Sequence, residues 1–117
     1  MQSANAWEPP SRIVLALCAV LLMQLHVFDL LATIDILRHG GREINPVMRA
    51  WFAHSEFAGS IGKMMLAVCL TVALAVLTRA APHGYRRTFW RLLLTAIIIQ
   101  TLVMCWHLYL LAILPLL

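Results

Sequence analysis

The segment LHVFDLLATIDILRHGGREINPVM, residues 25–48, decides the fold. It begins inside a long apolar run and ends in a polar loop, and it carries Asp29 and Asp35 within or at the edge of that run. Further polar side chains follow closely: Arg38, His39, Arg42, Glu43 and Asn45. An ionisable residue inside a membrane span costs about 2.5–3.5 kcal/mol on insertion scales, so it usually faces protein or water and marks a functional site. The segment therefore indicates the position of a site before it indicates a reaction.

Composition places the chain in a membrane. Of its 117 residues, 62% are hydrophobic and 12% are charged, and the mean hydropathy is +0.86. A soluble domain is about 45–50% apolar and about a quarter charged. Crossing a bilayer takes about 20 apolar residues, and three runs qualify: 13–37, 60–78 and 92–117. We predict one all-α, polytopic membrane domain, residues 1–117, with three transmembrane helices.

The net charge of +4 does not indicate nucleic-acid binding. The basic residues lie beside apolar runs, and four arginines cluster within residues 79–91. This is the pattern of a cytoplasmic loop that meets anionic headgroups, so we expect membrane lipids and no nucleic acid as partners. The first run is too long for the apolar region of a signal peptide. Cys18, Cys69 and Cys105 lie far apart in apolar runs and are expected to be small buried residues.

Helical spacing separates the two aspartates of the first run. One face carries residues three or four positions apart: Leu22, His26, Asp29, Thr33 and Ile36. Asp35 is rotated about 120° from Asp29 at a period of 100° per residue, and we expect it to pair with Arg38 or His39. Asp29 has no such local partner. A partner must come from another helix or another chain, or else the Asp29 carboxylate must be protonated.

The loop after the first run contains a helix end and a helix start. Gly40-Gly41 can supply a left-handed C-terminal cap. Asn45-Pro46 combines a capping residue with proline at the first helical position, and it predicts a short helix over residues 46–57. That helix is too short to span a membrane and amphipathic enough to lie at the interface.

If successive spans cross the bilayer in opposite directions, the polar residues of different runs lie at one depth. At about 1.5 Å rise per residue, Asp29, Lys63 and His107 lie about 6, 9 and 4 Å from the middle of their spans, all towards the Gly40 side. Glu43 and Asn45 lie over the same leaflet. We therefore expect one polar site in that half of the bilayer.

These residues resemble a family. Asp29 and Thr33, then Gly40, Glu43, Asn45-Pro46 and Met48, with Lys63 opening the next run, resemble a small prokaryotic integral membrane family that is a domain of unknown function with a D-x3-T, G-x2-E-x-N-P-x-M signature. The similarity covers residues 25–63, about a third of the chain. It implies a membrane location and a shared polar site, and it supplies no reaction. His26, Asp35 and His107 are not part of that pattern.

Several functions agree with this pattern. The preferred one is a site near the outer leaflet that binds an ion, a small anion or a lipid headgroup, with ligand-binding residues Asp29, Thr33, Glu43, Asn45 and Lys63. A buried ion-pair network that only locks the helices is an alternative, as is a non-catalytic accessory subunit of a larger membrane complex. A metal-dependent enzyme would use His26, Asp29 and His107, with Glu43 or Cys105 as a further ligand. No catalytic motif is present, and no cofactor is assigned.

Small residues predict association of the chain with itself or with other chains. Ala67, Ala73 and Ala75 lie in the second run, and Gly59 and Gly62 lie at its start. Small residues allow close approach of helices in a bilayer, so we expect a homo-oligomer or a place in a larger complex. The arginines of residues 79–91 favour a prokaryotic inner membrane location with the N-terminus in the cytoplasm.

Overall fold

The computed structural model of the chain describes residues 7–42, 45–113 and 116, and its elements over these residues are helices. Their bounds are α1 Arg12–Arg38, α2 Pro46–His54, α3 Glu56–Ala80 and α4 His83–Ile113. The helices α1, α3 and α4 are long and apolar enough to span a membrane. Each of these three contacts the other two, and α2 contacts α3. The all-α prediction with three membrane-length helices is confirmed.

The short helix and the second long helix divide at a different residue from the one predicted. The prediction joined residues 46–57 into one helix and began the next near residue 60. Instead α2 ends at His54 and α3 begins at Glu56. Ser55 caps α3 because its hydroxyl accepts a hydrogen bond from the Ala58 amide at 2.9 Å, which is a common way to start a helix.

The prediction of a loop over residues 79–91 is wrong. The helix α4 begins at His83, nine residues before the predicted start, so only Ala81 and Pro82 separate α3 from α4. Pro82 favours a helix start, and the Tyr85 amide donates to its carbonyl at 2.8 Å. Arginine is a good helix former. The helix therefore continues from the apolar run through the arginine-rich segment.

Glycine turns the chain at the end of α1. The Gly41 amide donates to the Ile36 carbonyl at 2.9 Å, and the Gly40 amide donates to the Leu37 carbonyl at 3.2 Å. This is the Schellman pattern, which requires a left-handed residue, and Gly40 has a φ of 86°. The predicted cap is confirmed.

Two other glycines seat α2 on α3. Asn45 begins α2 as predicted, accepting from the Val47 amide at 3.0 Å. The ring of Phe52 covers Gly59, and the ring of Trp51 covers Gly62. A Cβ atom at either glycine would overlap the ring above it. The position of α2 therefore depends on two residues without side chains.

Charged side chains have different kinds of partner at the two ends of the bundle. At the α2 end, Arg38 pairs with Glu56 at 3.0 Å and His39 lies 3.3 Å from Asp35, so the expected pairing of Asp35 is made with His39. At the opposite end the arginines contact carbonyls and a ring: Arg79 donates to Pro10, Arg86 donates to Ala81, and Arg87 lies over Trp7. A cluster of buried leucines fills the centre of that half: Leu15, Leu22, Leu74 and Leu93.

We predict that Gly62→Ala loosens α2. The added methyl group overlaps the Trp51 ring, and overpacking of this kind costs about 1–3 kcal/mol. The free energy of unfolding in detergent is expected to fall, and Trp51 emission to change, in protein whose other tryptophans are phenylalanine.

Gly84→Ala is the matched control. A Cβ atom at Gly84 meets nothing within 4 Å, and alanine is favoured over glycine in a helix by up to about 1 kcal/mol. Equal unfolding free energies for the two variants would contradict the seating of Trp51 on Gly62.

Candidate functional site

A buried carboxylate joins the three long helices. Asp29 on α1 is 3% exposed. Its Oδ2 atom lies 2.7 Å from Nζ of Lys63 on α3, and its Oδ1 atom lies 2.6 Å from Nδ1 of His107 on α4. Lysine brings a full positive charge, and histidine adds one when it is protonated. The partners that Asp29 lacks on its own helix therefore come from both of the others.

Thr33 extends this group by one turn. Lys63 Nζ donates to Thr33 Oγ1 at 3.4 Å, and Thr33 is 4% exposed. Asp29 and Thr33 are four residues apart, so they lie on one face of α1. The ammonium of Lys63 thus lies between a carboxylate and a hydroxyl from that face.

The group forms part of the wall of a cavity at the α2 end. The cavity has a volume of about 610 Å³, within the range of about 300–1,000 Å³ typical of ligand pockets. Its polar and charged lining residues are Asp29, Thr33, Arg42, Asn45, Lys63 and His107. Its other lining residues are apolar: Ile36, Leu37, Pro46, Met48, Val103, Trp106 and Leu110.

The sequence-predicted site residues have different outcomes. Asp29, Thr33 and Lys63 are brought together. Asn45 lines the same cavity, but its side-chain oxygen caps α2 by accepting from the Val47 amide. Glu43 lies outside the described residues. Whether these residues bind a ligand stays a prediction.

The hypothetical metal centre is not formed by the part of the chain that the structure describes. In that part no three His, Cys, Asp or Glu side chains are placed to hold a metal ion. His107 reaches Asp29. His26 is half-buried, and it is not among the residues that line the cavity.

Sequence reasoning missed two side chains of the cavity, Arg42 and Trp106. The sequence places Arg42 in a polar loop, and the direction of its side chain depends on the turn at Gly40. Trp106 lies next to His107, about 100° around α4, so helical spacing alone places it on a different face. It is 51% exposed and stacks with Tyr109, with ring centroids 5.6 Å apart.

A second cavity of about 540 Å³ adjoins the first. Its lining residues are Leu37, Gly41, Arg42, Arg49, Phe52 and Ala53. The two cavities share Leu37 and Arg42. Apart from its arginines, the second cavity is apolar.

One family model matches the chain. The family is described as "Domain of unknown function (DUF5658)", and the match covers residues 20–113. It extends well beyond residues 25–63, through the third long helix that carries His107. No curated protein and no solved structure shows significant similarity to the chain.

We predict that Asp29→Leu destabilises the bundle and that adding Lys63→Met restores most of the loss. Removing one partner of a buried ion pair leaves the other charge uncompensated, at a cost of about 3–5 kcal/mol, whereas replacing both by apolar residues is often neutral. The measurement is unfolding by SDS titration in mixed micelles.

Glu56→Gln serves as the comparison, because its pair with Arg38 is exposed and such pairs contribute about 0–1 kcal/mol. A double variant as unstable as Asp29→Leu alone would show that the uncompensated lysine is not the cause.

Proposed function

The chain belongs to this domain family of unknown function, and we propose that it is a membrane protein that binds a polar or ionic ligand in the cavity above Asp29. The observation that carries the proposal is the Asp29 carboxylate, held by Lys63 at 2.7 Å and His107 at 2.6 Å in the wall of a cavity of about 610 Å³. Placing ionisable groups inside a span is costly. Open space beside those groups allows them to contact a bound ligand.

A purely structural lock is the alternative for the same group. A buried ion pair can fix helix register without adding stability, but a lock gains nothing from empty volume. The cavity is partly open to its surroundings and has the volume of a ligand pocket. The cavity beside Lys63 and His107 therefore favours binding over locking.

The side chains suit a small polar group. Asp29 is the central acceptor and Lys63 is its counter-charge, while the Thr33 hydroxyl bonds to Lys63 and can also donate. Asn45, at the N-terminus of α2, lines the same cavity. An ion, a small anion and a lipid headgroup are the ligand classes that agree with these groups.

We also propose a prokaryotic inner membrane location, with the α3–α4 turn and the N-terminus in the cytoplasm and the cavity towards the outer leaflet. Two observations support it. At the α2 end Arg38 has a carboxylate partner, Glu56. The arginines near the α3–α4 turn contact carbonyls and an aromatic ring instead, and such positive charge favours the cytoplasmic side.

Cysteine labelling tests this orientation. With the three native cysteines replaced by alanine, a membrane-impermeant maleimide should label Val47→Cys in intact spheroplasts, and Tyr85→Cys only after lysis. Both native side chains are exposed. The reverse pattern would show that the cavity faces the cytoplasm.

We predict that Asp29→Asn loses a bound small molecule and still folds, with a lower free energy of unfolding because Lys63 is left without its counter-charge. The amide can still hydrogen-bond to Lys63 but carries no charge. Purified wild-type and variant protein are extracted, and co-purifying compounds are compared by mass spectrometry, with thermal unfolding as the check on folding. Asp35→Asn is the matched control, since it removes one carboxylate from the same helix outside the cavity.

A compound present with wild type and Asp35→Asn and absent with Asp29→Asn is the expected result. The same compounds in all three samples would overturn the proposal.

The second candidate is a non-catalytic accessory subunit in a larger complex, or a homo-oligomer. The observation that favours it is the exposure of α4: only 6% of the residues in its apolar 18-residue stretch are buried. In the same preparations, other chains at fixed stoichiometry and no bound compound would support this alternative.

A further inference from the structure

Arg42 is the charged residue that lines both cavities, and its guanidinium can bind a ligand in either. The side chain is exposed, and no hydrogen bond or ion pair joins it to another residue among those the structure describes. A guanidinium offers five donors in a planar fork that matches a phosphate group. A ligand in either cavity lies within reach of this group, because Arg42 lines both.

The cavities on the two sides of Arg42 differ in chemistry. On one side lies the polar cavity, with Asp29, Lys63 and His107 in its wall. On the other side lies the second cavity, whose lining is apolar except for Arg42 and Arg49. A phospholipid has the same order of parts: a polar headgroup, a phosphate, and an apolar glyceride.

The charge of the polar cavity agrees with an anionic ligand. Asp29 is compensated by Lys63 at 2.7 Å and faces His107 at 2.6 Å, so its charge does not offset that of Arg42. The described residues that line this cavity carry a net charge of +1 with histidine neutral.

A small inorganic anion would use only part of this arrangement. Arg42 follows the end of α1 at Arg38, which is nine residues above Asp29 and thus about 13 Å along the helix axis. Apolar side chains line the space between these levels, including Ile36, Met48 and Leu110. Trp106 lines the cavity beside His107 and is 51% exposed.

We infer that the ligand is an anionic phospholipid, with its phosphate on Arg42, its headgroup in the Asp29 cavity, and the upper part of its glyceride in the cavity lined by Phe52 and Ala53. This inference rests on the proposed binding function and specifies its ligand.

The test is native mass spectrometry of protein in detergent supplied with phosphatidylglycerol. Wild type should retain one lipid per chain, and Arg42→Gln should retain at least tenfold less at the same lipid concentration. Arg91→Gln is the matched control, since it removes one exposed arginine at the opposite end of the bundle, and it should bind as wild type does. Arg42→Lys should give intermediate retention, because it restores the charge without the fork.

Two further measurements distinguish binding of the intact lipid from binding of its phosphate or its glyceride alone. Ala53→Phe fills the apolar cavity and should lower retention of phosphatidylglycerol without any change of charge. Inorganic phosphate at millimolar concentration should not displace the lipid, and dioleoylglycerol, which lacks the phosphate, should not be retained.

Equal loss in Arg42→Gln and Arg91→Gln, no retention by wild type, or displacement by phosphate alone would each overturn the inference. The binding proposal fails separately. If a compound depends on Asp29 but not on Arg42, the cavity binds a ligand that is not this lipid.

Discussion

The fold and the site both depend on one requirement: a carboxylate inside an apolar helix has to be compensated by groups from outside that helix. Asp29 meets it through Lys63 and His107, each contributed by a different helix. Because both contacts are shorter than 3 Å, they fix the relative heights of α1, α3 and α4 as well as the charge balance. Burial of an ion pair adds little net stability, but it penalises any register in which the partners separate. The same three side chains therefore specify the helix arrangement and the position of the site.

The loop between α1 and α2 depends on that arrangement and in turn shapes the cavity. Gly40 ends α1 with a positive φ, which sends the chain back over the bundle. Asn45 then starts α2, and the glycines of α3 accept its aromatic rings at close range. Without this return, the space above Asp29 would be open to the membrane surface. The walls of the cavity are thus set by backbone geometry at three glycines.

The sequence predicted some of these features and could not predict others, for physical reasons. Periodicity and helical rise were enough to bring Asp29, Lys63 and His107 to one depth, because their positions follow from a regular helix. The start of α4 was missed because hydropathy reports where an apolar run ends, whereas a helix can continue into polar surroundings. The role of Arg42 depends on the turn that precedes it, and no periodic rule describes a turn. Ser55 had the residue type of a helix cap, but neither of its neighbours, His54 and Glu56, is a glycine or proline that would mark a helix boundary.

The buried leucine cluster has a consequence for the passage of solutes through the bundle. Leu15, Leu22, Leu74 and Leu93 fill the half remote from α2, and both Leu22 and Leu93 are 0% exposed. A solute that reaches Asp29 in this conformation meets a hydrocarbon barrier below it. Among the residues that the structure describes, these leucines block the path from Asp29 to the opposite end of the bundle, so a solute at Asp29 exchanges with the α2 side. Net translocation would require those leucines to separate, and that would take apart the best-packed region of the bundle.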